Sequence, residues 1–197
     1  MSIHTHAARS RPINLMTQLP DTNGIERLGI VHYPDPALRR AGAPIARFDD
    51  RLLGLARRMC ALMHEHNGVG LAAPQVGLAL RLFVWNPTGQ PEDDQVCVNP
   101  RLSAHTEPVE SEEGCLSLPS VTVQVRRART VHLDAQDCAG NDVALDGADL
   151  VARIWQHEVD HLDGKLIIDY MSPSDAIANR RAIKDMESQY KRAHSRR

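Results

Sequence analysis

Two histidines spaced four residues apart are the side chains best suited to chemistry in this sequence. His157 and His161 enclose Glu158 in the pattern HExxH. Four residues make about one turn of an α-helix, so both imidazoles can reach one metal ion from the same helix face. Glu158 would then lie beside a water held by that ion, where a carboxylate can take up and return a proton. The motif therefore predicts a divalent metal site with an acid–base group.

HExxH supplies two ligands, and catalytic zinc sites usually use three. The metzincin pattern continues with a glycine and a third histidine; Gly164 fits the glycine, but Ile167 stands where the histidine belongs. A thermolysin-like site would take a later glutamate, and the candidate, Glu187, falls on a predicted exposed helix. Upstream, the thiol of Cys115 would complete a set of one sulfur and two nitrogens. A lone cysteine is more often an inert core thiol, so the case for Cys115 depends on the nearby HExxH.

Apolar residues at helical spacing predict the helices that must position these groups. One helix is predicted from Arg47 to His66, capped by Asp49 or Asp50 and ended at Asn67-Gly68. A second is predicted from Ala148 to Leu162 and carries both histidines on its apolar face. A third is predicted from Pro173 to Tyr190.

Between the first two helices, alternating apolar residues predict an antiparallel sheet. The strands are expected around residues 80–84, 96–98, 121–125 and 131–133, with a turn at 137–142 leading back along 143–145. The segment 68–77 is too rich in glycine and proline to predict a regular element, and too apolar for an idle surface loop. We expect it to line a site.

The composition is that of one ordinary globular domain. Of 197 residues, 42% are hydrophobic, which predicts a single domain over residues 25–190, between a disordered extension, 1–24, and a basic tail, 191–197. A net charge of -2 argues against DNA as a partner, and there is no apolar run long enough to predict a membrane helix. The four cysteines form no CxxC pair, which favours a reducing compartment. We expect a bacterial cytoplasmic protein rather than one targeted to an organelle.

Three segments together resemble a known family. GVGLAAPQVG at 68–77, EGCLSLP at 113–119 and QHEVDHLDG at 156–164, in this order, are similar to the signature motifs of the peptide deformylases. The resemblance extends from Gly29 to Met171. It implies an α+β fold in which antiparallel β-sheets surround a central helix bearing HExxH, with an N-terminal helix and a C-terminal helix.

The resemblance also implies a reaction, which is removal of the formyl group from the N-terminal formylmethionine of nascent polypeptides, with release of formate. Cys115, His157 and His161 would bind the metal, and Glu158 would transfer protons. The side-chain amide of Gln75 and the backbone N–H of Leu116 would stabilise the oxyanion. The residues expected to bind the methionine side chain or the peptide backbone are Val69, Gly70, Leu150 and Ile154.

The resemblance implies Fe²⁺ as the metal in the cell, and the ligand set also suits Zn²⁺, Ni²⁺ or Co²⁺. Thr122 stands where many members have an arginine, so peptide contacts beyond methionine stay undefined. Two alternatives remain open: a related metallo-amidase or protease, and a metal-stabilised binding protein without activity. Retention of both Glu158 and Gln75 argues against the second. A transient ribosome contact through the basic tail is a further hypothesis.

Overall fold

The computed structural model of the protein describes residues 19–103 and 106–195. The described α-helices are α1 (Thr22–Glu26), α2 (Asp50–Glu65), α3 (Asp149–Leu162) and α4 (Pro173–His194). The described strands are β1 (Gly70–Ala72), β2 (Leu82–Trp85), β3 (Gln95–Ser103), β4 (Pro108–Cys115), β5 (Leu118–Ala128), β6 (Thr130–Gln136) and β7 (Asp142–Ala148). No helix in these ranges is both long and apolar enough to cross a membrane.

The strands form two antiparallel sheets around α3. One sheet has the order β1-β2-β3-β6-β7, and the other pairs β4 with β5. Helix α3 contacts strands of both sheets, α2 packs against β1 and β2, and α4 packs against β5. This arrangement confirms the predicted α+β class with antiparallel sheets around the HExxH helix, an N-terminal helix and a C-terminal helix.

Apolar side chains on α2 and α3 explain why these segments are helices inside the core. On α2, Leu52, Leu55 and Met59 are fully buried at helical spacing. On the buried face of α3, Trp155 packs edge to face against Trp85 of β2, with ring centroids 5.3 Å apart. Both helices are therefore fixed by packing before any metal is considered.

The helix ends differ from the predicted ends for local reasons. Helix α2 begins at Asp50 rather than Arg47, because the Asp49 carboxylate accepts hydrogen bonds from the N–H groups of Arg51 (3.1 Å) and Leu52 (3.2 Å). Helix α3 begins one residue later than predicted. Helix α4 continues past Tyr190 to His194, whose ring stacks on that of Tyr190 at 3.9 Å. The first four residues of the predicted tail are therefore helical.

The N-terminal boundary also falls earlier than predicted. Helix α1 starts at Thr22, and the Asp21 carboxylate caps it by accepting from the N–H of Gly24 at 2.7 Å. Ile25 on this helix is buried against the core. Residues 19–24 are thus part of the described fold, and residues 1–18 of the predicted extension lie outside the described residues.

Two strands were not predicted from the sequence. The segment 68–77 contains β1, followed by a 3-10 helix over Ala73–Val76, so the expectation of no regular element there is wrong. β4 pairs along its length with β5 although it lacks apolar alternation. Within the described residues, β1 pairs only with β2 and β4 only with β5, so each strand has one unpaired edge.

Candidate metal centre and active site

Helix α3 brings the HExxH side chains to its buried face. The rings of His157 and His161 lie one turn apart, with centroids 5.0 Å from each other. His161 is 1% exposed and Glu158 is 3% exposed. The spacing of two histidines on one helix face thus has the geometry that the sequence predicted.

Strand β4 ends at Cys115 and carries its thiol to the same place. The Sγ atom of Cys115 lies 3.3 Å from Nε2 of His161. The ligand atoms of Cys115, His157 and His161 all lie within 4.8 Å of one another. Metal bonds of about 2.0 Å to nitrogen and 2.3 Å to sulfur can span such a triangle. The three side chains therefore fit one divalent ion bound by sulfur and two imidazole nitrogens.

In the protein chain alone, burial shifts the pKa values of two of these groups, His161 and Glu158, toward their neutral forms. Burial lowers the pKa of His161 well below its ordinary value, which favours the neutral imidazole that binds metals. Burial raises the pKa of Glu158 to about 7, with His157 and Arg127 opposing the rise. The Oε2 atom of Glu158 is buried and has no hydrogen-bond partner in the described structure. Such a carboxylate is suited to accept and return a proton near neutral pH.

Glu113, one of two acidic residues before Gly114, orients the first histidine. Its Oε2 atom accepts a hydrogen bond from Nδ1 of His157 at 3.0 Å. Arg127 donates to the same carboxylate through Nε (2.8 Å) and Nη2 (2.9 Å), and Arg153 donates through Nη1 at 2.9 Å. Burial would raise the pKa of Glu113, but the hydrogen bonds from His157 and Arg127 outweigh it and lower the pKa to about 2. The Nδ1–H tautomer of His157 is thereby held, which leaves Nε2 for a metal.

The network closes on α3 through the last variable position of the HExxH motif. Nη1 of Arg127 donates to Oδ2 of Asp160 at 2.6 Å, and the Tyr170 hydroxyl donates to the same oxygen at 2.8 Å. Sequence reasoning assigned no role to Glu113, Arg127, Arg153 or Asp160. The available signal was Arg127, which continues the inward alternation of Val123 and Val125, where a charged residue needs a buried partner.

Gln75 lies in the 3-10 helix after β1 and is 1% exposed. Its Oε1 atom accepts from the N–H of Ala72 at 2.8 Å, while Nε2 donates to Sγ of Cys115 at 3.5 Å and to Oγ of Ser117 at 3.3 Å. The bond to Ala72 fixes which end of the amide points inward. A hydrogen-bond donor therefore faces the predicted ligand set.

A cavity of about 400 Å³ opens onto these groups. The predicted site residues that line it are Val69, Gly70, Gln75, Cys115, Leu116, Leu150, Ile154, His157 and Glu158. His161 lies behind them in the core. Val69 and Leu150 are 43% and 51% exposed, whereas Ile154 is buried.

Gly70 is packed against the acid–base group. A Cβ atom at position 70 would overlap the Glu158 carboxylate, and its distance to Cδ would be 2.8 Å. The cavity wall at Gly70 is therefore formed by backbone.

Thr122 does not line the cavity. Its N–H and C=O are hydrogen-bonded to the side-chain amide of Asn179 on α4, at 3.2 and 2.7 Å.

Comparisons with known proteins identify the family of this chain. A family profile described as polypeptide deformylase matches residues 28–176. A peptide deformylase of Rhodopirellula baltica is 45% identical over 146 residues, which cover 72% of this chain and 72% of that protein. Peptide deformylase 1B of Arabidopsis thaliana, named as chloroplastic/mitochondrial, is 40% identical over 166 residues, which cover 83% of this chain and 61% of that protein. The chain thus spans less than two thirds of the length of this plant relative.

Structural similarity points to the same family as sequence similarity. A crystal structure of a plant peptide deformylase of the 1B type superposes with a TM-score of 0.82 at 38% identity, and the match covers 86% of this chain and 94% of that one. The matched family model includes both sheets, α3 and the three motifs. The chain therefore belongs to the peptide deformylase family, metalloenzymes that remove the formyl group from nascent polypeptides.

Proposed function

We propose that this chain performs deformylation with Cys115, His157 and His161 as the ligands of one divalent metal and Glu158 as the proton-transfer group. The observation that carries the proposal is the convergence of the three ligand atoms within 4.8 Å beside a buried carboxylate. A bound metal supplies Lewis-acid activation of a water and of the formyl carbonyl. The remaining work falls to side chains and backbone of the cavity.

Glu158 performs both proton transfers of the hydrolysis. It takes a proton as water adds to the formyl carbon, and it gives that proton to the nitrogen as the C–N bond breaks, leaving formate and a free amine. Burial raises the pKa of this carboxyl, which supports its role in taking up a proton. The packing of Gly70 against the carboxylate restricts its rotamers.

Gln75 and Leu116 stabilise the oxyanion that forms on the formyl oxygen. The Nε2 group of Gln75 is directed inward by the bond from Ala72 to Oε1. Leu116 follows Cys115 in the turn between β4 and β5 and lines the cavity, where its backbone N–H is the second donor. A preorganised donor of this kind typically changes kcat by about 10²–10³-fold.

The methionine side chain and the peptide backbone bind along the rest of the cavity. Val69, Leu150 and Ile154 supply apolar surface, two of them exposed as a binding wall requires. Gly70 supplies backbone groups on the unpaired edge of β1. Fe²⁺ is the proposed metal in the cell, and one sulfur with two imidazole nitrogens also accommodates Zn²⁺, Ni²⁺ or Co²⁺ in a purified sample.

The test is formate release from formyl-Met-Ala-Ser by anaerobically purified protein, with wild type beside Glu158→Ala and metal content measured on both. We expect about one metal per chain in both proteins and a loss of activity of several orders of magnitude in the variant. Bound metal without formate release by wild type would contradict the proposal. Cleavage of the same peptide without its formyl group would instead indicate a protease. Parallel loading with Fe²⁺ and Zn²⁺ tests the metal, with higher activity expected for Fe²⁺.

The substrate also bears on location and partners. We propose that the protein acts in the bacterial cytoplasm and contacts the ribosome transiently through the basic end of α4, which carries Lys191 and Arg192. Relatives include both bacterial and organellar proteins, so a fusion of residues 1–24 to a fluorescent reporter tests targeting, and no organellar import is expected. Removal of residues 191–197 is expected to weaken co-sedimentation with ribosomes, and unchanged co-sedimentation would refute the contact.

A further inference from the structure

Asn86 is a buried polar residue outside the cavity, directly after β2, with an exposed fraction of 1%. Its Nδ2 group donates to the carbonyl oxygen of Gln90 at 2.6 Å and to Oδ1 of Asp94 at 2.7 Å. Its Oδ1 atom accepts from the N–H groups of Thr88 (2.9 Å) and Gly89 (2.8 Å). The side chain thus satisfies all its hydrogen-bonding groups and fixes the loop that follows β2.

The backbone of Asn86 connects this loop to the cavity. Its N–H donates to the carbonyl oxygen of Val69 at 2.9 Å, which extends the β1–β2 ladder beyond the pair Gly70 and Trp85. Oδ1 of Asp94 also lies 2.7 Å from Nε2 of His64, in the last turn of α2. The segment from α2 to β1 is therefore held at both ends: His64 contacts Asp94 at one end, and Val69 accepts from Asn86 at the other.

This pairing determines which backbone groups face the unpaired edge of β1. Peptide groups of successive residues in a strand point to opposite edges, and the Val69 carbonyl points to β2. The N–H and C=O of Gly70 therefore point to the unpaired edge. The N–H of Ala72, two residues on, also points there, and it bonds to Oε1 of Gln75 on the cavity side.

We propose that Asn86 is a positioning residue for the peptide part of the substrate. Its side chain holds the loop so that its N–H fixes Val69, and this in turn presents the peptide groups of Gly70 to the substrate backbone beyond formylmethionine. The inference rests on the proposed role of the Gly70 backbone groups in binding the substrate peptide. It predicts that Asn86 affects binding of the peptide chain and not the chemistry at the formyl group.

The experiment compares formyl-Met-Ala-Ser with formyl-methioninamide, which lacks the downstream peptide. Asn86→Asp keeps the acceptor for Thr88 and Gly89 but places an oxygen against Gln90 and Asp94. We expect kcat/KM for the tripeptide to fall about tenfold, mainly through KM, as the loss of one or two backbone hydrogen bonds predicts. We expect kcat to change less than about twofold, and kcat/KM for formyl-methioninamide to stay within about twofold.

Two further variants separate positioning from general stability. In the double variant Asn86→Asp with Asp94→Asn, donor and acceptor are exchanged, and we expect at least about threefold recovery of kcat/KM for the tripeptide. Glu92→Gln is the matched control, since Glu92 is exposed in the same loop and makes no hydrogen bond in the described structure; no change is expected for either substrate. If Asn86→Asp does not fold, Asp94→Ala replaces it, with an expected rise in KM of about threefold.

The outcomes distinguish the inference from the function on which it rests. Equal losses on both substrates, or a lower melting temperature with unchanged KM, would overturn the positioning role of Asn86. A wild-type protein with no preference for the tripeptide over formyl-methioninamide would overturn the role of the Gly70 peptide groups in binding the chain beyond formylmethionine, and the inference with it. Selective loss on the tripeptide with recovery in the double variant supports the proposal.

Discussion

Substitution of Glu113 by glutamine tests the reasoning about the metal centre most directly. The carboxylate is 6% exposed and accepts four N–H bonds, two from Arg127, one from Arg153 and one from His157. Glutamine has nearly the same shape, but it is neutral and presents an NH₂ group to donors that need an acceptor. The substitution also leaves Asp160 as the remaining ion-pair partner of Arg127.

The expected magnitude follows from these contacts. Removing one partner of a buried ion pair costs about 3–5 kcal/mol of unfolding free energy, which for a protein of this size is roughly 10 °C in melting temperature. Loss of a carboxylate behind a metal-binding histidine weakens metal affinity by about 10–100-fold. We therefore expect Glu113→Gln to lose both stability and metal retention.

The assay is thermal unfolding together with a chelator titration that follows residual metal and formate release. Glu110→Gln is the matched control, because Glu110 lies on the same strand, is exposed, and its side chain makes no hydrogen bond or ion pair in the described structure. We expect the control to behave as wild type. If Glu113→Gln keeps the melting temperature and metal retention of wild type, the described network does not support the metal centre.

Three further predictions address single contacts. Gln75→Glu keeps an acceptor for the N–H of Ala72 but replaces the amide donor that points into the cavity. We expect steady-state kinetics to show a fall in kcat of about 10²–10³-fold with little change in KM. An unchanged kcat would exclude the oxyanion role of Gln75. Gly70→Ala should reduce kcat by more than about tenfold, because the new methyl group would displace the Glu158 carboxylate; a crystal structure of the variant with Glu158 unmoved would contradict this reason. His132 has a pKa raised above 6.5, chiefly by its hydrogen bond to Asp146 at 2.7 Å, so this ion pair favours the folded state below the pKa of unfolded histidine and is lost as the pH rises through the folded value. An NMR titration of the His132 ring should give a midpoint above 6.5 in wild type and a lower midpoint in the variant Asp146→Asn. A wild-type midpoint at or below 6.5 would refute the contribution of this ion pair.

Periodicity predicted α2, α3 and most strands because each of these elements buries one apolar face, whereas the five-residue helix α1 was not predicted. Helix α3 was predicted to within a residue, since its apolar residues recur at helical spacing and Gly164 follows its end. β4 was not predicted, because its inward residues include Glu113, a charged side chain that is buried through ion pairs rather than apolar contact. Strand recognition from hydrophobic alternation cannot detect such a strand.

The predicted metal ligands came from motif spacing and from resemblance, whereas the network behind them required the fold. Arg127 is 14 residues from Glu113 and 33 residues from Asp160 in the chain. No local spacing rule relates a residue of β5 to one on β4 and another on α3. Asn86 escaped detection for the same reason, since its contact to Val69 joins a loop to a glycine-rich strand.

The unpaired edges of β1 and β4 have a consequence for solubility. A free strand edge is a template on which another chain can add a strand, and proteins often protect such edges from aggregation with charges or by covering them. Here Gly70 of β1 and Gly114 near the end of β4 line the same cavity, so this part of each edge faces a cleft. A folded β-protein cannot bring its own sheet edge into that space, whereas a single extended chain can. At the cavity, the placement that exposes backbone groups for recognition thus also disfavours pairing with a copy of the protein, whereas the unpaired edges of the described strands β5 and β7 lie outside the cavity.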